Sequence, residues 1–271
     1  MKNLVISGGG LNSLYVLGVI KYLDEKNLIN DLNNFSGTSA GSIVSLLLLL
    51  GYRFNELYKL CKSYKMNNIL EMDILNIMSN YSLYSNDKIK KVLNIFIKNK
   101  YNIINPTFKK LYDLTKKKLF VVATNVESGD EKIFSVDDTP NICICEAICA
   151  SSAIPFVFPY TEIENSKYVD GAFINNYPIN IFKDDLENTI GINIRSHKLN
   201  NRKINNLLNY GFNLYDLILN SLGTNTTNEL KSKIDIEISK DQLNINNYID
   251  NIDNIIDEVY EETKKKCNII I

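Results

Sequence analysis

The chain has 271 residues, 45% hydrophobic and 23% charged, which fits one globular domain and excludes disordered and fibrous classes. Its formal net charge of −1 lacks the strong basic balance of a nucleic-acid binder, and no nucleic-acid partner is expected. The longest apolar run, Leu46–Leu50, falls far short of the roughly 20 residues that cross a bilayer, so any membrane contact is expected to be peripheral.

Leu4–Ser7 is predicted as a short strand running into Gly8-Gly9-Gly10. Over 14–27, Leu14, Leu17, Val19, Ile20 and Leu23 recur at helical spacing. A second strand at Asn34-Phe35-Ser36 leads into Gly37-Thr38-Ser39-Ala40-Gly41, and residues 40–50 read as the next helix. Residues 54–114 read as helical and basic, without a strand signal before Lys118. Leu119–Val126 and Glu131–Val136 are strands joined by Glu127-Ser128-Gly129-Asp130, a hairpin signature. A short helix over 143–150 is stopped by Pro155 and Pro159. Tyr168-Val169 leads to Asp170-Gly171, and Thr189–Arg195 is a further strand. Helices over about 205–222 and 249–266 bracket a strand at Lys233–Ser239. This alternation predicts an α/β sandwich with a largely parallel sheet. With no internal repeat and no Gly/Ser linker, residues 1–271 are read as one domain.

The first residues are too poor in apolar positions for a signal-peptide core, and the five cysteines form an odd set, so a reduced intracellular compartment is expected. Cys143, Cys145 and Cys149 lack the paired spacing of a zinc site and read as packed thiols; neither metal nor cofactor is expected. Charge is unevenly spread. Residues 88–118 hold ten lysines and one acid, Asp113, whereas residues 127–187 hold twelve acids and three lysines. The basic stretch suits either a solvated helical face or anionic lipid head groups. Its apolar residues (Ile95, Phe96, Ile97, Tyr101, Ile103, Ile104) suit either core packing or membrane contact. The 27 lysines against three arginines, with abundant Asn and Ile, point to an AT-rich source genome, microbial or that of a large DNA virus.

Gly37-Thr38-Ser39-Ala40-Gly41 is a G-x-S-x-G nucleophile elbow, a strand-to-helix turn that leaves the Ser39 hydroxyl exposed. A serine nucleophile also needs oxyanion donors and a base. Gly8, Gly9 and Gly10, between a strand and a helix, can turn backbone N–H groups toward an anion. A dinucleotide fingerprint is the rival reading of Gly8-x-Gly10-x-x-Ser13, but Asn30-Asp31 stands in a loop where that motif needs an acid at a strand end. Two bases are open. The order Ser39, Asp170, His197 matches an α/β-hydrolase triad, although only two short strands fit before the elbow. Alternatively, Asp170 acts alone if burial raises its pKa, with Gly171 allowing a tight turn that presents the carboxylate.

Gly8-Gly9-Gly10, the Ser39 elbow, Ala150-Ser151-Ser152-Ala153-Ile154-Pro155-Phe156-Val157-Phe158-Pro159, and Asp170-Gly171-Ala172-x-x-Asn175-Asn176-x-Pro178 occur in that order within residues 1–195. Together they resemble the patatin-like phospholipase family. The resemblance implies a three-layer α/β/α fold, a Ser39–Asp170 dyad and an oxyanion hole from Gly8, Gly9 and Gly10. It further implies hydrolysis of phospholipid or other acyl-lipid esters at a transiently bound membrane surface, without a metal. Residues 54–114 would then form a helical cap, and residues 196–271 a C-terminal α/β extension. One departure stands out: Leu11-Asn12-Ser13 replaces the family's x-Arg/Lys-Gly, removing a cation and a glycine beside the oxyanion loop. That leaves a catalytically weak lipid-binding protein, alongside the His197 esterase, as an alternative.

Overall fold

The computed structural model describes residues 1–63, 85–196, 210, 211, 213–215, 217, 230–240 and 245–267. His197, residues 64–84 of the expected cap and most of the helix expected over 205–222 lie outside them.

Five strands form the parallel body of the sheet: β1 (Asn3–Ile6), β2 (Asn34–Thr38), β3 (Lys118–Asn125), β7 (Thr189–Ser196) and β8 (Ile234–Lys240). β1 lies between β2 and β7, and all four of its residues are buried, as a strand covered on both faces requires. At the β8 edge, Ile234, Ile236 and Ile238 are buried while Asp235 and Glu237 between them are not, the period-two pattern of a strand with one covered face.

The remaining strands are antiparallel. β4 (Glu131–Phe134) folds back on β3 as the hairpin signature predicts. β5 (Thr161–Ile163) and β6 (Ser166–Asp170) form a second hairpin. Its two-residue turn, Glu164-Asn165, has φ of 51° and 64°, the left-handed pair typical of tight hairpins. The sequence reading missed this hairpin because Glu-Asn is not among the usual turn pairs.

The pairing at β3 decides where the site forms. β4 occupies one edge of β3 from Val121 to Thr124. β2 pairs with Lys118–Val122 and β6 with Ala123–Asn125, so these two must share the opposite edge, end to end. Thr38 faces Val122 and Asp170 faces Ala123. A parallel and an antiparallel strand therefore terminate head to head.

Helices α1 (Val16–Glu25), α2 (Ala40–Leu49), α3 (Phe54–Ser63), α4 (Asn86–Tyr101), α5 (Phe108–Thr115) and α6 (Ile144–Ser151) contribute to one large core, which also takes Leu4 and Ile6 from β1. A single helical turn, α7 (Ala172–Asn175), follows β6, and the long α8 (Ile245–Cys267) closes the described chain against the same core. Val5, between Leu4 and Ile6, belongs to a smaller cluster on the other face with Tyr177, Ile179 and Phe182. The result is a mixed, mostly parallel sheet in an α/β/α sandwich, as expected. The Leu46–Leu50 run is buried core, and among the described residues no helix is long and apolar enough to cross a membrane. In the basic segment, Leu93, Ile97, Phe108 and Leu111 are buried in the main core, Phe96, Tyr101 and Ile103 pack against it, and Ile95 and Ile104 remain exposed.

Candidate active site

Ser39 joins β2 to α2 with φ 53° and ψ −130°, a backbone conformation that an L-residue holds only where its surroundings enforce it. The enforcement is local. Gly41 lies so close to the carbonyl oxygens of Ile6 and Ser7 that a Cβ there would collide with them, which ties the elbow to the end of β1. The Ser39 amide donates to Ser151 Oγ at 2.8 Å, and that hydroxyl donates onward to the Val122 carbonyl. Thr38 Oγ1 donates to the Asn175 carbonyl at 2.9 Å, and Ser42 Oγ to the Ser39 carbonyl at 2.6 Å. The backbone on both sides of Ser39 is thus fixed by side chains.

Asp170 ends β6, is fully buried, and meets the elbow across the strand junction. Ser39 Oγ donates to Asp170 Oδ2 at 2.6 Å, and the Ala172 amide donates to Oδ1 at 2.9 Å. The Asp170 amide donates to the Ala153 carbonyl at 3.0 Å, and Thr124 Oγ1 to the Asp170 carbonyl at 2.9 Å. Burial pushes the Asp170 carboxyl up to about 6, held back by hydrogen bonds from Ser39, the Ala172 amide and Tyr215. A carboxyl with that pKa is ionised at neutral pH yet basic enough to take a proton from a hydroxyl it already contacts.

The glycine loop leaves β1 beside this pair. A Cβ on Gly8 would collide with Asn176 Oδ1 and lie 3.3 Å from Ser39 Cβ, so a larger residue there must displace the Asn176 side chain or the loop. Asn176 grips Gly8 through the backbone: its carbonyl accepts the Gly8 amide at 3.0 Å, and its Nδ2 donates to the Gly8 carbonyl at 3.3 Å. The Gly8 N–H is therefore occupied, whereas among the described residues those of Gly9 and Gly10 have no acceptor. Asn12 and Ser13 are buried in the 3-10 turn that follows, Gly10–Tyr15, so both belong to the loop's packing.

The structure thus brings Ser39, Asp170 and Gly8–Gly10 together from three separate stretches of chain. It also adds residues to which the sequence reading gave no role. Ser151 lies in the quoted Ala150–Pro159 stretch, which was the available signal. Asn176 lies in the quoted Asp170–Pro178 motif. Tyr215 carries no motif at all. Cys145 and Cys149 are buried in α6 and Cys143 is half-buried at its start. Among the described residues no group of three or more His, Cys, Asp or Glu side chains is placed to hold a metal ion.

The sequence model of the family described as Patatin-like phospholipase matches residues 4–183, a span containing all four motifs. "Uncharacterized protein R571" of Acanthamoeba polyphaga mimivirus is 32% identical over 204 residues, covering 74% of this chain and 67% of the relative. "Probable lipid hydrolase 463L" of Invertebrate iridescent virus 6 is 34% identical over 185 residues, covering 66% of this chain and 62% of the relative. Both relatives come from large DNA viruses, one of the two kinds of source suggested by the lysine, asparagine and isoleucine bias. Among solved structures, VipD from Legionella pneumophila superimposes with a TM-score of 0.73 at 16% identity, covering 99% of this chain and 67% of VipD, which shows the fold. By the extent of the sequence match and the shared fold, the chain belongs to the patatin-like phospholipase family.

Proposed function

We propose that the chain hydrolyses acyl-lipid esters, phospholipids among them, with Ser39 as nucleophile and Asp170 as its base. As Ser39 Oγ attacks the ester carbonyl carbon, its proton passes to Asp170 Oδ2. The carbonyl oxygen becomes an oxyanion held by the N–H groups of Gly9 and Gly10, in a loop that Gly8 brings close to Ser39. Collapse of the tetrahedral intermediate breaks the ester C–O bond, and the leaving alcohol or lysolipid takes the proton from Asp170. Water then attacks the acyl-serine with Asp170 again as base, releasing the fatty acid and restoring the Ser39 hydroxyl.

The reading rests above all on the 2.6 Å hydrogen bond from Ser39 Oγ to a fully buried carboxyl whose pKa is lifted to about 6. The relative named as a probable lipid hydrolase supports the substrate class. The chemistry needs no cofactor. Substrate reaches the site from a transiently bound membrane, with α3, α4 and α5 in the cap and exposed Ile95 and Ile104, beside Lys90 and Lys91, as contact candidates.

The test is fatty-acid release from mixed phospholipid and acylglycerol vesicles by wild type, Ser39→Ala, Asp170→Ala and His197→Ala. Loss in the first two variants and full activity in the third supports the dyad. Loss in His197→Ala comparable to that in Ser39→Ala would replace it with a triad. A wild type that neither releases fatty acid nor labels with a fluorophosphonate at Ser39 would leave a lipid-binding protein.

A further inference from the structure

A small apolar cluster, separate from the main core, forms in the segment next to Ala153, whose carbonyl accepts the Asp170 amide. Ile154 and Val157, in the loop after α6, are buried, and Phe158 and Tyr215 pack against them. The Tyr215 ring also meets Phe173 edge-on, with centroids 5.4 Å apart and planes at 79°. Both neighbours are anchored to Asp170. Ala153, just before Ile154, accepts the Asp170 amide, and Phe173 follows Ala172, whose amide bonds Oδ1. The ring thus touches both segments that flank the carboxyl, and its hydroxyl is among the donors that hold the carboxyl's pKa down.

We propose that Tyr215 is a positioning residue of this site: its ring seals the Asp170 carboxyl from water, and its hydroxyl gives that carboxyl a third hydrogen bond beside those from Ser39 and Ala172. A carboxylate offers about four lone-pair sites, so a third donor has room. The two halves of the side chain act in opposite directions. Apolar burial favours the protonated carboxyl, which cannot act as a base, whereas a donor favours the ionised one. Ser39 gives up its own hydrogen bond to Asp170 when it transfers its proton, so Tyr215 and the Ala172 amide are the donors that persist through the step. Among the described residues no charged side chain on β3, β5, α6 or α7 acts on the carboxyl, and Glu131 of β4 is engaged by Asn175 Nδ2 at 2.7 Å.

This inference rests on Asp170 being the base. Its test is kcat/KM on a soluble ester, followed from about pH 5 to about pH 9, for wild type, Tyr215→Phe, Tyr215→Leu and Asp170→Asn. Tyr215→Phe keeps the ring and loses the donor. Its acid limb is expected to move up by about one pH unit, so activity near pH 6 falls about 5- to 10-fold while the alkaline plateau stays within about twofold. Tyr215→Leu loses the sealing ring as well as the donor, so its limb should lie below that of Tyr215→Phe, together with a lower plateau. An acid limb at the wild-type position in folded Tyr215→Phe overturns the assignment, because that variant keeps the ring and its packing and loses only the donor. Full activity in Asp170→Asn would instead overturn the dyad itself, so the two failures are distinct.

Discussion

Thr38 and Asp170 stand opposite consecutive residues of β3, Val122 and Ala123, although 132 positions separate them in sequence. Each is the last residue of its strand, and the strands arrive from opposite directions along one edge. The nucleophile elbow and the carboxylate therefore meet at a junction fixed by backbone hydrogen bonds. No flexible loop has to carry either group to the other, which matters for a reaction sensitive to displacements of an ångström.

Asp170→Asn is expected to abolish hydrolysis and to stabilise the fold at neutral pH. The amide cannot accept the Ser39 proton, and a loss of about 1,000-fold or more in kcat is expected. For stability, the folded pKa of about 6 lies above the ordinary 3.8, so folding is favoured fully only below about 3.8 and loses that advantage as pH rises through 6. At pH 7.5 the buried carboxylate costs about 3 kcal/mol by this reckoning. Asparagine removes the charge while Oδ1 still accepts the Ala172 amide and Nδ2 can donate to Ser39 Oγ. Chemical denaturation should show the Asp170→Asn variant more stable than wild type by about 2 kcal/mol at pH 7.5, with the gap closing toward pH 4. Equal stability at both pH values would mean that the carboxyl is not desolvated.

The same pKa predicts the pH dependence of the wild type. With Asp170 as the proposed base, only the ionised carboxylate is competent, so kcat/KM should rise with pH through about 6 and fall about tenfold from its plateau near pH 5. The limb should be independent of His197, and an identical limb in His197→Ala is the expected observation. Disappearance of the limb in that variant would assign the titration to the imidazole.

Ser151→Ala tests whether the elbow is held from outside. Its hydroxyl bridges the Ser39 amide and the Val122 carbonyl, and its removal leaves a buried donor and a buried acceptor unpaired. A destabilisation of about 2 kcal/mol is expected. A drop of about 10- to 100-fold in kcat, with KM little changed, should accompany it as Ser39 loses its fixed orientation. Ser151→Cys, a poorer hydrogen-bonding group, should fall between wild type and Ser151→Ala. Unchanged kcat in Ser151→Ala would show that the glycines alone fix the elbow.

Ser39, Asp170 and the glycine loop, which the structure brings together, could be singled out in the sequence because each depends on a short-range rule: flanking glycines at Ser39, a glycine after Asp170, three consecutive glycines after a strand. The parallel body was legible from strand and helix alternation. The β5–β6 hairpin was not, since Glu164-Asn165 adopts the left-handed pair without a glycine and β5 has only three residues. Missing that hairpin concealed how Asp170 reaches Ser39, because head-to-head strand ends are a property of register that no local pattern encodes. Tyr215 was illegible for a similar reason: its partners Ile154, Val157 and Phe173 lie 42 or more positions away, and one tyrosine among 16 carries no signal of its own.

Two glycine-to-alanine substitutions of equal size in one loop should separate close approach from backbone strain. At Gly8 a methyl group collides with Asn176 Oδ1, whose side chain also holds the Gly8 carbonyl, and crowds Ser39 Cβ at 3.3 Å, so the fit of the loop against Asn176 and Ser39 is disturbed. Gly8→Ala should therefore lose about 100-fold or more in fluorophosphonate labelling rate, about the value of one oxyanion donor. At Gly10 nothing lies within 4 Å of the added carbon, but φ is +51°. Gly10→Ala should cost about 1 kcal/mol of stability and keep its N–H, so labelling should stay within about tenfold of wild type. Denaturation midpoints measured beside labelling rates separate the two effects, since the first variant should be impaired mainly in rate and the second mainly in stability. If Gly10→Ala lost labelling as severely as Gly8→Ala without further destabilisation, the oxyanion donors would depend on the Gly10 conformation itself, and the fit of Gly8 against Asn176 would be secondary.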